Sequence, residues 1–478
     1  MPGGYSSRVD ELTPRRKRVA AFAVAVLLLG AGALAAGAAT RAPEAAATAS
    51  VAAVTSNERL ATPTPDPGRP VPAGASTARA LRTCSVAALA ADPRLADFQA
   101  QVLNADTGEV LFDRGGSTPS RTASVLKVLT SAAALDVLGP DHRVTTTVVA
   151  GSEPGSVVLV GGGDVTLSRL PTGTDSVYPG AAHLDDLARQ TLAAWQANPA
   201  NPPITSLVLD SSLFGGPGWE PSWDQLERNA GSMSDVTALQ VDGDRDDPAR
   251  HTSARSTDPG GRAGQAFADA LGGGVSVSRG TAPAGAEALA AVQSQPVSVL
   301  IGQALIVSDN ALAEMLARLV AVESGAGNTF GALQESIVSA LDSYGVDTTG
   351  IVIRDGSGLS DDNAVSPAYL TRLFVKINDR EGDLGVIFDG LPVAGGPTGS
   401  LSYSDRFTGD NAVADGAVFA KTGWIDTGYT LSGVIRAADG TPLTFAVYAL
   451  GDVSDNAKQA LDTIAAGFFR CGGNLSNS

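Results

Sequence analysis

The spacing of apolar residues alternates between strand and helix periods along this 478-residue chain, and the order of those changes limits the folds open to it. FQAQVLNADTGEVLFDRG, beginning at Phe98, reads as two strands joined by the turn Asn104-Ala105-Asp106-Thr107-Gly108, a hairpin. Apolar residues then recur at helical spacing over 124–138, where Gly139-Pro140 stops the run. A Gly-, Pro- and Asp-rich middle occupies 141–287, with short strand-like pieces (VVLVGGGD, SLVLDSS) and the acidic loop VDGDRDDPARHTSARSTDPGGR. From Pro296 the pattern is helical again, in VSVLIGQALIVSDNALAEMLARLVAVES. AVFAKTGWIDTGYTLSGVIRAADGTPLTFAVYALG then gives two or three successive strands, and an amphipathic helix at 456–469 closes the chain. Strands at both ends with helices between them predict an α+β domain, residues 81–140 and 288–478, interrupted by a smaller inserted domain at 141–287. No internal repeat is found.

Ahead of the folded part lies a segment of different character. Residues 1–18 are basic, ending in Arg15-Arg16-Lys17-Arg18, and 19–39 form an uncharged apolar run. Positive charge before such a run holds the first part in the cytoplasm and sends the rest of the chain out. About 20 apolar residues span a bilayer, so the run is a transmembrane anchor or a signal peptide removed after export. The Ala-, Thr- and Pro-rich stretch at 40–80 reads as a disordered linker. The expected location is extracytoplasmic, in the cell envelope, membrane-anchored or secreted. Two cysteines, Cys84 and Cys471, sit one at each edge of the folded part. In an oxidising compartment they are a disulfide candidate; the alternative is two unrelated buried thiols. Two cysteines and three scattered histidines give no metal-ligand spacing, so no metal is expected. The net charge of −17 argues against nucleic acid, whose binding rests on Lys and Arg.

Lysine is scarce: there are five, at 17, 127, 376, 421 and 458. One of them, Lys127, stands a helical turn after Ser124 and on the same face, at the start of an apolar helix. A serine hydroxyl attacks only when a base takes its proton, and a lysine serves as that base only when neutral. Burial, a second cation or the positive end of a helix would depress its pKa, and the position supplies the last of these. A capped amphipathic helix with a snorkelling lysine is the bland alternative. Ser308-Asp309-Asn310 offers a second hydroxyl for proton relay and an amide that can hold a substrate carbonyl. The same tripeptide recurs at Ser454-Asp455-Asn456, which reads as the cap of the last helix. Lys421-Thr422-Gly423 falls on an expected strand, where a lysine and a hydroxyl can bind a carboxylate and glycine admits substrate backbone. The N–H groups of Trp424 and Ser124 could then form an oxyanion hole.

S-x-x-K, S-D-N and K-T-G in this order are the signature of penicillin-binding proteins and class A β-lactamases. NADTGEVLFDRG, LVGGGDVTL, LDSSLFGGPGW, IRDGSGLSDDNAVSP and LPVAGGPTGSLSYSDRF carry the resemblance further. Over roughly 97–449 the chain resembles the D-alanyl-D-alanine carboxypeptidase/endopeptidase family, the class C low-molecular-mass penicillin-binding proteins. The resemblance implies a penicillin-recognising serine transpeptidase/β-lactamase-like domain, an antiparallel sheet flanked by helices, with an insertion between the first two motifs. It implies Ser124 as acylated nucleophile, Lys127 as general base, Ser308 as relay, Asn310 as a substrate-amide contact, and Lys421 with Thr422 as the carboxylate site, beside Gly423 and Trp424. The implied substrates are peptidoglycan stem peptides, the implied inhibitors β-lactams, and no cofactor is needed. The membrane is a further partner if the N-terminal helix is retained.

The chain departs from the family pattern in places. The acidic loop after Val241 stands where relatives carry a longer β-rich stretch, GGGD is followed by Val165 rather than proline, and GSGLS by Asp361 rather than arginine. Asp426, after Lys-Thr-Gly-Trp-Ile, is also unusual. In relatives these positions line the pocket for the third stem residue. Asp164, Asp361 and Asp426 would make it anionic here, favouring an amine-ended or amidated side chain; the alternatives are a turn aspartate at 164 and solvated loop charges at the other two. Asp355 reads as a loop-holding acceptor, and Trp219 and Trp223 as core. Of the competing functions, a β-lactamase lacks a Glu-x-x-Leu-Asn between the first two motifs, and a non-catalytic wall-binding scaffold is disfavoured by three intact motifs. A Ser-His-Asp hydrolase has no G-x-S-x-G and no histidine in a recognisable setting.

Overall fold

The computed structural model describes residues 81–477. The basic segment at 1–18, the apolar run at 19–39 and the linker at 40–80 lie outside the described residues. Among the described residues no helix is long and apolar enough to cross a membrane.

The strands number, in order, β1 (Cys84–Ser85), β2 (Asp97–Asn104), β3 (Val110–Arg114), β4 (Thr145–Ala150), β5 (Ser156–Val160), β6 (Ser206–Asp210), β7 (Ser276–Arg279), β8 (Ala288–Gln293), β9 (Val418–Ile425), β10 (Gly428–Arg436), β11 (Pro442–Leu450) and β12 (Leu475–Ser476). The helices are α1 (Ala87–Ala90), α2 (Leu126–Val137), α3 (Leu184–Gln196), α4 (Leu226–Ala230), α5 (Pro259–Ala270), α6 (Val297–Ile306), α7 (Asn310–Glu323), α8 (Leu333–Asp342), α9 (Pro367–Asn378), α10 (Gly385–Asp389) and α11 (Ala457–Cys471). The expected hairpin is β2–β3, and its turn is closed by Asn104, whose side chain accepts from the N–H groups of Asp106 and Thr107.

Strands from both ends of the domain share one layer. β9, β10 and β11 form an antiparallel meander, and β2 lies along β11 through the Ala96–Leu450 bridge and the bond from Ala105 N–H to the Pro442 carbonyl. One face of this layer packs on α11, where Phe468 meets Phe112 and Phe445 with centroids 5.7 and 6.4 Å apart. Each ring is fully buried, worth on the order of 1.5–3 kcal/mol. The other face meets the helical block of α2, α6, α7, α8, α9 and α10, whose core includes residues from Val125 to Ile387. A disulfide joins Cys84 to Cys471 across 387 residues, beside the parallel pair β1–β12.

A second sheet, of order β7-β6-β5-β4-β8, is mixed: β4 pairs antiparallel with β5 and β8, while β5, β6 and β7 run parallel. It has its own core with α3 and α5, around Leu159, Leu187, Leu209 and Phe267. Val144, Val165, Tyr178, Met233 and Val236, which flank this sheet in sequence, pack instead in the core of the helical block. Helix starts follow local chemistry: Asp309 caps α7 by accepting from Leu312 N–H, and Ser366 caps α9 ahead of Pro367. Ser454-Asp455-Asn456 stands at the start of the last helix, as expected. Asn456 occupies the cap position of α11 but makes no capping bond; its side-chain oxygen accepts from the Ser454 hydroxyl instead.

Candidate active site

Ser124 lies in a 3-10 turn, Ala123–Val125, that leads directly into α2. Its neighbour Ala123 has φ of 46°, a left-handed conformation that a non-glycine residue holds only when its surroundings fix it. Two glycines provide that fixing by letting other backbone come close. A Cβ on Gly358, itself at φ +85°, would sit 1.9 Å from the Ala123 carbonyl oxygen; one on Gly423 would sit 2.7 Å from that of Thr122. The Thr430 hydroxyl, opposite Gly423 in the sheet, also donates to the Thr122 carbonyl at 2.6 Å. Thus the G-S-G loop and the K-T-G strand both clamp the turn that presents Ser124. Residues 423–424 are thereby set beside 122–124, the neighbourhood that an oxyanion hole from Trp424 and Ser124 requires.

Lys127 is fully buried. Its Nζ lies 2.8 Å from Ser124 Oγ, 2.7 Å from Asn310 Oδ1 and 2.8 Å from the Ser357 carbonyl oxygen. Three oxygen partners satisfy an ammonium; once one proton leaves, the lone pair points at one of them, and Ser124 is the partner that has a proton to give. Burial pulls the Lys127 pKa down to about 8, against the opposing pull of Asp355, Glu314 and Asp309. Desolvation, rather than the expected helix end, is therefore the dominant cause. Glu314 supports the Ser357 carbonyl from behind: its carboxylate accepts from the N–H groups of Gly356 and Ser357, fixing the loop that holds the lysine. Burial, and then the charge of Asp355, pushes Glu314 up. Asp355 holds the same loop by accepting from Gly358 and Ser360 N–H, the Asn363 amide and Trp223 Nε1.

The second and third motifs meet on the other side. Lys421 is also fully buried, its Nζ 2.8 Å from Ser308 Oγ and 2.8 Å from the Thr422 carbonyl. Burial and then the charge of Lys127 lower its pKa well below the ordinary lysine value. Ser308, at φ 59°, is a second left-handed non-glycine residue. The Asn310 amide bridges: Oδ1 accepts from Lys127, and Nδ2 donates to the Ser232 carbonyl at 3.1 Å. Thr422 Oγ1 is 2.7 Å from the hydroxyl of Ser400, a residue that the sequence motifs do not single out. Its only sequence signal is its place in LPVAGGPTGSLSYSDRF.

The expected acidic residues separate. Asp361 lies beside the loop after β9, accepting from the Thr427 hydroxyl at 2.9 Å with Arg121 Nη1 at 3.7 Å. Asp426 is near enough to Glu227 of α4 for its charge to help raise that carboxyl, after burial and Asp224. Asp164 is different: it is 3 % exposed, and its Oδ1 accepts from both the N–H and the hydroxyl of Thr166. Burial raises its pKa to about 6. It behaves as the turn aspartate of the alternative reading. Trp223 is buried and stacks edge-on with the half-buried Trp219, centroids 5.3 Å apart. Among the described residues no cluster of His, Cys, Asp and Glu could hold a metal ion.

The model of the D-Ala-D-Ala carboxypeptidase 3 (S13) family matches residues 82–249 and 239–468. Carboxypeptidase DacB of Mycolicibacterium smegmatis is 38 % identical over 425 residues, covering 86 % of this chain and 88 % of that one. A carboxypeptidase of Mycobacterium tuberculosis is 36 % identical over 398 residues, 82 % of this chain and 84 % of its own. Among solved structures, penicillin-binding protein 4 of Haemophilus influenzae superposes with a TM-score of 0.66 at 20 % identity, over 78 % of this chain and 96 % of that one. That likeness establishes the fold.

Proposed function

The chain belongs to the D-Ala-D-Ala carboxypeptidase 3 (S13) family of serine peptidases, and from that premise we propose that it cleaves peptidoglycan stem peptides through an acyl-enzyme on Ser124. The observation that carries the assignment is Lys127: buried, at hydrogen-bond distance from Ser124 Oγ, with a pKa drawn down to about 8. Neutral Lys127 takes the Ser124 proton as Oγ attacks the carbonyl carbon between the two D-Ala residues. Ser308, bonded to Lys421, passes a proton to the departing amine, and D-Ala leaves. Water then attacks the ester and Ser124 is regenerated. Lys421, Thr422 and Ser400 supply the cation and hydroxyls for the terminal carboxylate, with Asn310 left to hold the substrate amide as well as Lys127. An endopeptidase reaction uses the same steps with a cross-linking amine as leaving group.

Asp361 and Asp426 are proposed as rim residues for the third stem residue, with Glu227 in the place that Asp164 was expected to fill. The anionic rim supports a side chain ending in an amine or an amide. The N-terminal basic and apolar segments support export, with the apolar run serving as anchor or signal. The Haemophilus relative has been solved in complex with a β-lactam, which suggests the probe. Full-length protein treated with a fluorescent penicillin should acquire a stable covalent label, and Ser124→Ala should acquire none. Equal labelling of the two proteins would refute the assignment of the nucleophile.

A further inference from the structure

The inserted segment contributes a buried cation to the second motif. Arg245 is 2 % exposed, and its Nη2 lies 2.7 Å from Asp309 Oδ2, the middle residue of Ser308-Asp309-Asn310. Arg245 Nη1 donates to the hydroxyl of Tyr178 at 2.6 Å, and that hydroxyl donates to the same Asp309 oxygen at 3.1 Å. The guanidinium also lies over the Tyr178 ring, 4.9 Å from its centroid. Both partners come from the segment between the first two motifs. The loop that aims Arg245 holds three successive left-handed residues, Asp242, Gly243 and Asp244, and is pinned by bonds from Asp242 and Gly243 N–H to the carbonyls of Leu167 and Val165. Backbone of this kind persists only where the surroundings over-determine it.

Asp309 cannot move without moving the site. It caps α7, so its carboxylate sets where Asn310 begins the helix, and it follows the left-handed Ser308 whose hydroxyl meets Lys421. Its charge also reaches Lys127, where it opposes loss of the proton. We propose that Arg245 is a positioning residue for acylation: by pairing with the buried Asp309 carboxylate it fixes Ser308 and Asn310 and offsets the Asp309 charge beside Lys127. The proposal rests on Ser124 and Lys127 acting as assigned above.

The groups facing Lys127 are Asp309, Asp355, Glu314 and Lys421; those facing Asp309 are Arg245, Arg255, Tyr178 and His251. Of these, His251 is lowered by burial from its ordinary 6.5, so it is neutral throughout the range in which Lys127 titrates. Loss of either partner of the pair therefore displaces Lys127, in opposite directions. Removing Arg245 leaves Asp309 with Arg255 as its remaining cationic neighbour, exposes more of its charge and shifts the Lys127 midpoint up; removing the Asp309 charge leaves Arg245 positive and shifts it down.

The test is the rate of acylation of full-length protein by fluorescent penicillin, measured from about pH 6 to 10 to bracket the lysine midpoint. Arg245→Met should raise the pH midpoint, slowing the reaction at pH 7 about tenfold for each unit of rise. Asp309→Asn should move it the other way. Asp462→Asn breaks a comparable buried pair, with Arg406, on α11, and should lower the melting temperature while leaving the midpoint alone. An unchanged midpoint in Arg245→Met, or the same displacement in Asp462→Asn, overturns the proposal. If Arg245→Met does not fold, Arg245→Gln, which keeps a donor for Asp309 without the charge, carries the test: an upward shift supports it, and no shift or a downward one rejects it. Absence of any label on wild-type protein would instead strike the acyl-serine assignment itself, and the proposal would fall with it.

Discussion

At the scale of single residues, the proposed chemistry depends on two buried lysines whose pKa values are both drawn down. Lys127 and Lys421 are both stripped of water, and the charge of Lys127 helps to depress Lys421. Burial costs a cation several kcal/mol unless partners compensate. Lys127 has the richer surroundings, with three oxygens in contact and three carboxylates in reach. With a pKa of about 8 it is mostly ammonium at neutral pH, and in the proposed reaction it must first lose its proton. The sign of the pH effect is fixed by this: acylation should be slow near pH 6, rise through about pH 8 and level off above it. A rate that falls with rising pH over that interval would remove Lys127 as the base. Sequence alone singles out Lys127 by its spacing from Ser124, but it points to the helix end as the cause of activation. Burial depends on the loops that close over the lysine, and those come from residues 230 positions away.

At the scale of elements, the three motifs are local and the site is their meeting. Two motifs can be placed on their elements in advance, at the start of a helix and on a strand, whereas Ser308-Asp309-Asn310, read inside one helical run, stands at the break between α6 and α7. Glycines in G-S-G and K-T-G can be recognised as points of close approach; their target, the turn at 122–124, is set by the packing of distant segments. The rim shows the same limit. Asp361 and Asp426 stand out in sequence because relatives differ there, whereas Glu227 on the short helix α4 carries no motif at all. It enters through contacts: the Ser232 hydroxyl donates to it, and the Ser232 carbonyl takes Asn310. With matched stem peptides that differ only in the third side chain, D-Ala release should favour the amine-ended or amidated forms over a free carboxylate by about tenfold, one unfavourable charge contact being worth roughly 1–2 kcal/mol at a half-exposed rim. A preference for the free carboxylate would reject the rim assignment.

At the scale of the whole molecule, the ends of the domain are tied together. The disulfide from Cys84 to Cys471 encloses nearly all of the described chain. Closing so long a loop removes conformations chiefly from the unfolded state, so Cys84→Ser with Cys471→Ser should cost about 2–4 kcal/mol and lower the melting temperature. The pH profile of acylation should stay as in wild type, since Cys471 packs with α11 on the face of the sheet away from the helical block. A changed profile would show that the tie shapes the site as well as the stability.

The sequence by itself determined the α+β class, the order of strands and helices on either side of the Gly-, Pro- and Asp-rich middle, and the three motifs, two of hydroxyl and lysine and one of hydroxyl and amide. These are readable because periodicity, turn residues and motif spacing are local properties of the chain. Only the tertiary structure decided that burial lowers the pKa of Lys127, that Asp164 turns inward to Thr166, and that Ser400, Glu314 and Arg245 bond to the motifs or to the loop behind them. The physical reason is common to all of them. Desolvation, ion pairing and close backbone approach are set by which distant segments pack together, and no spacing along the chain encodes a contact between residues 64 or 230 positions apart.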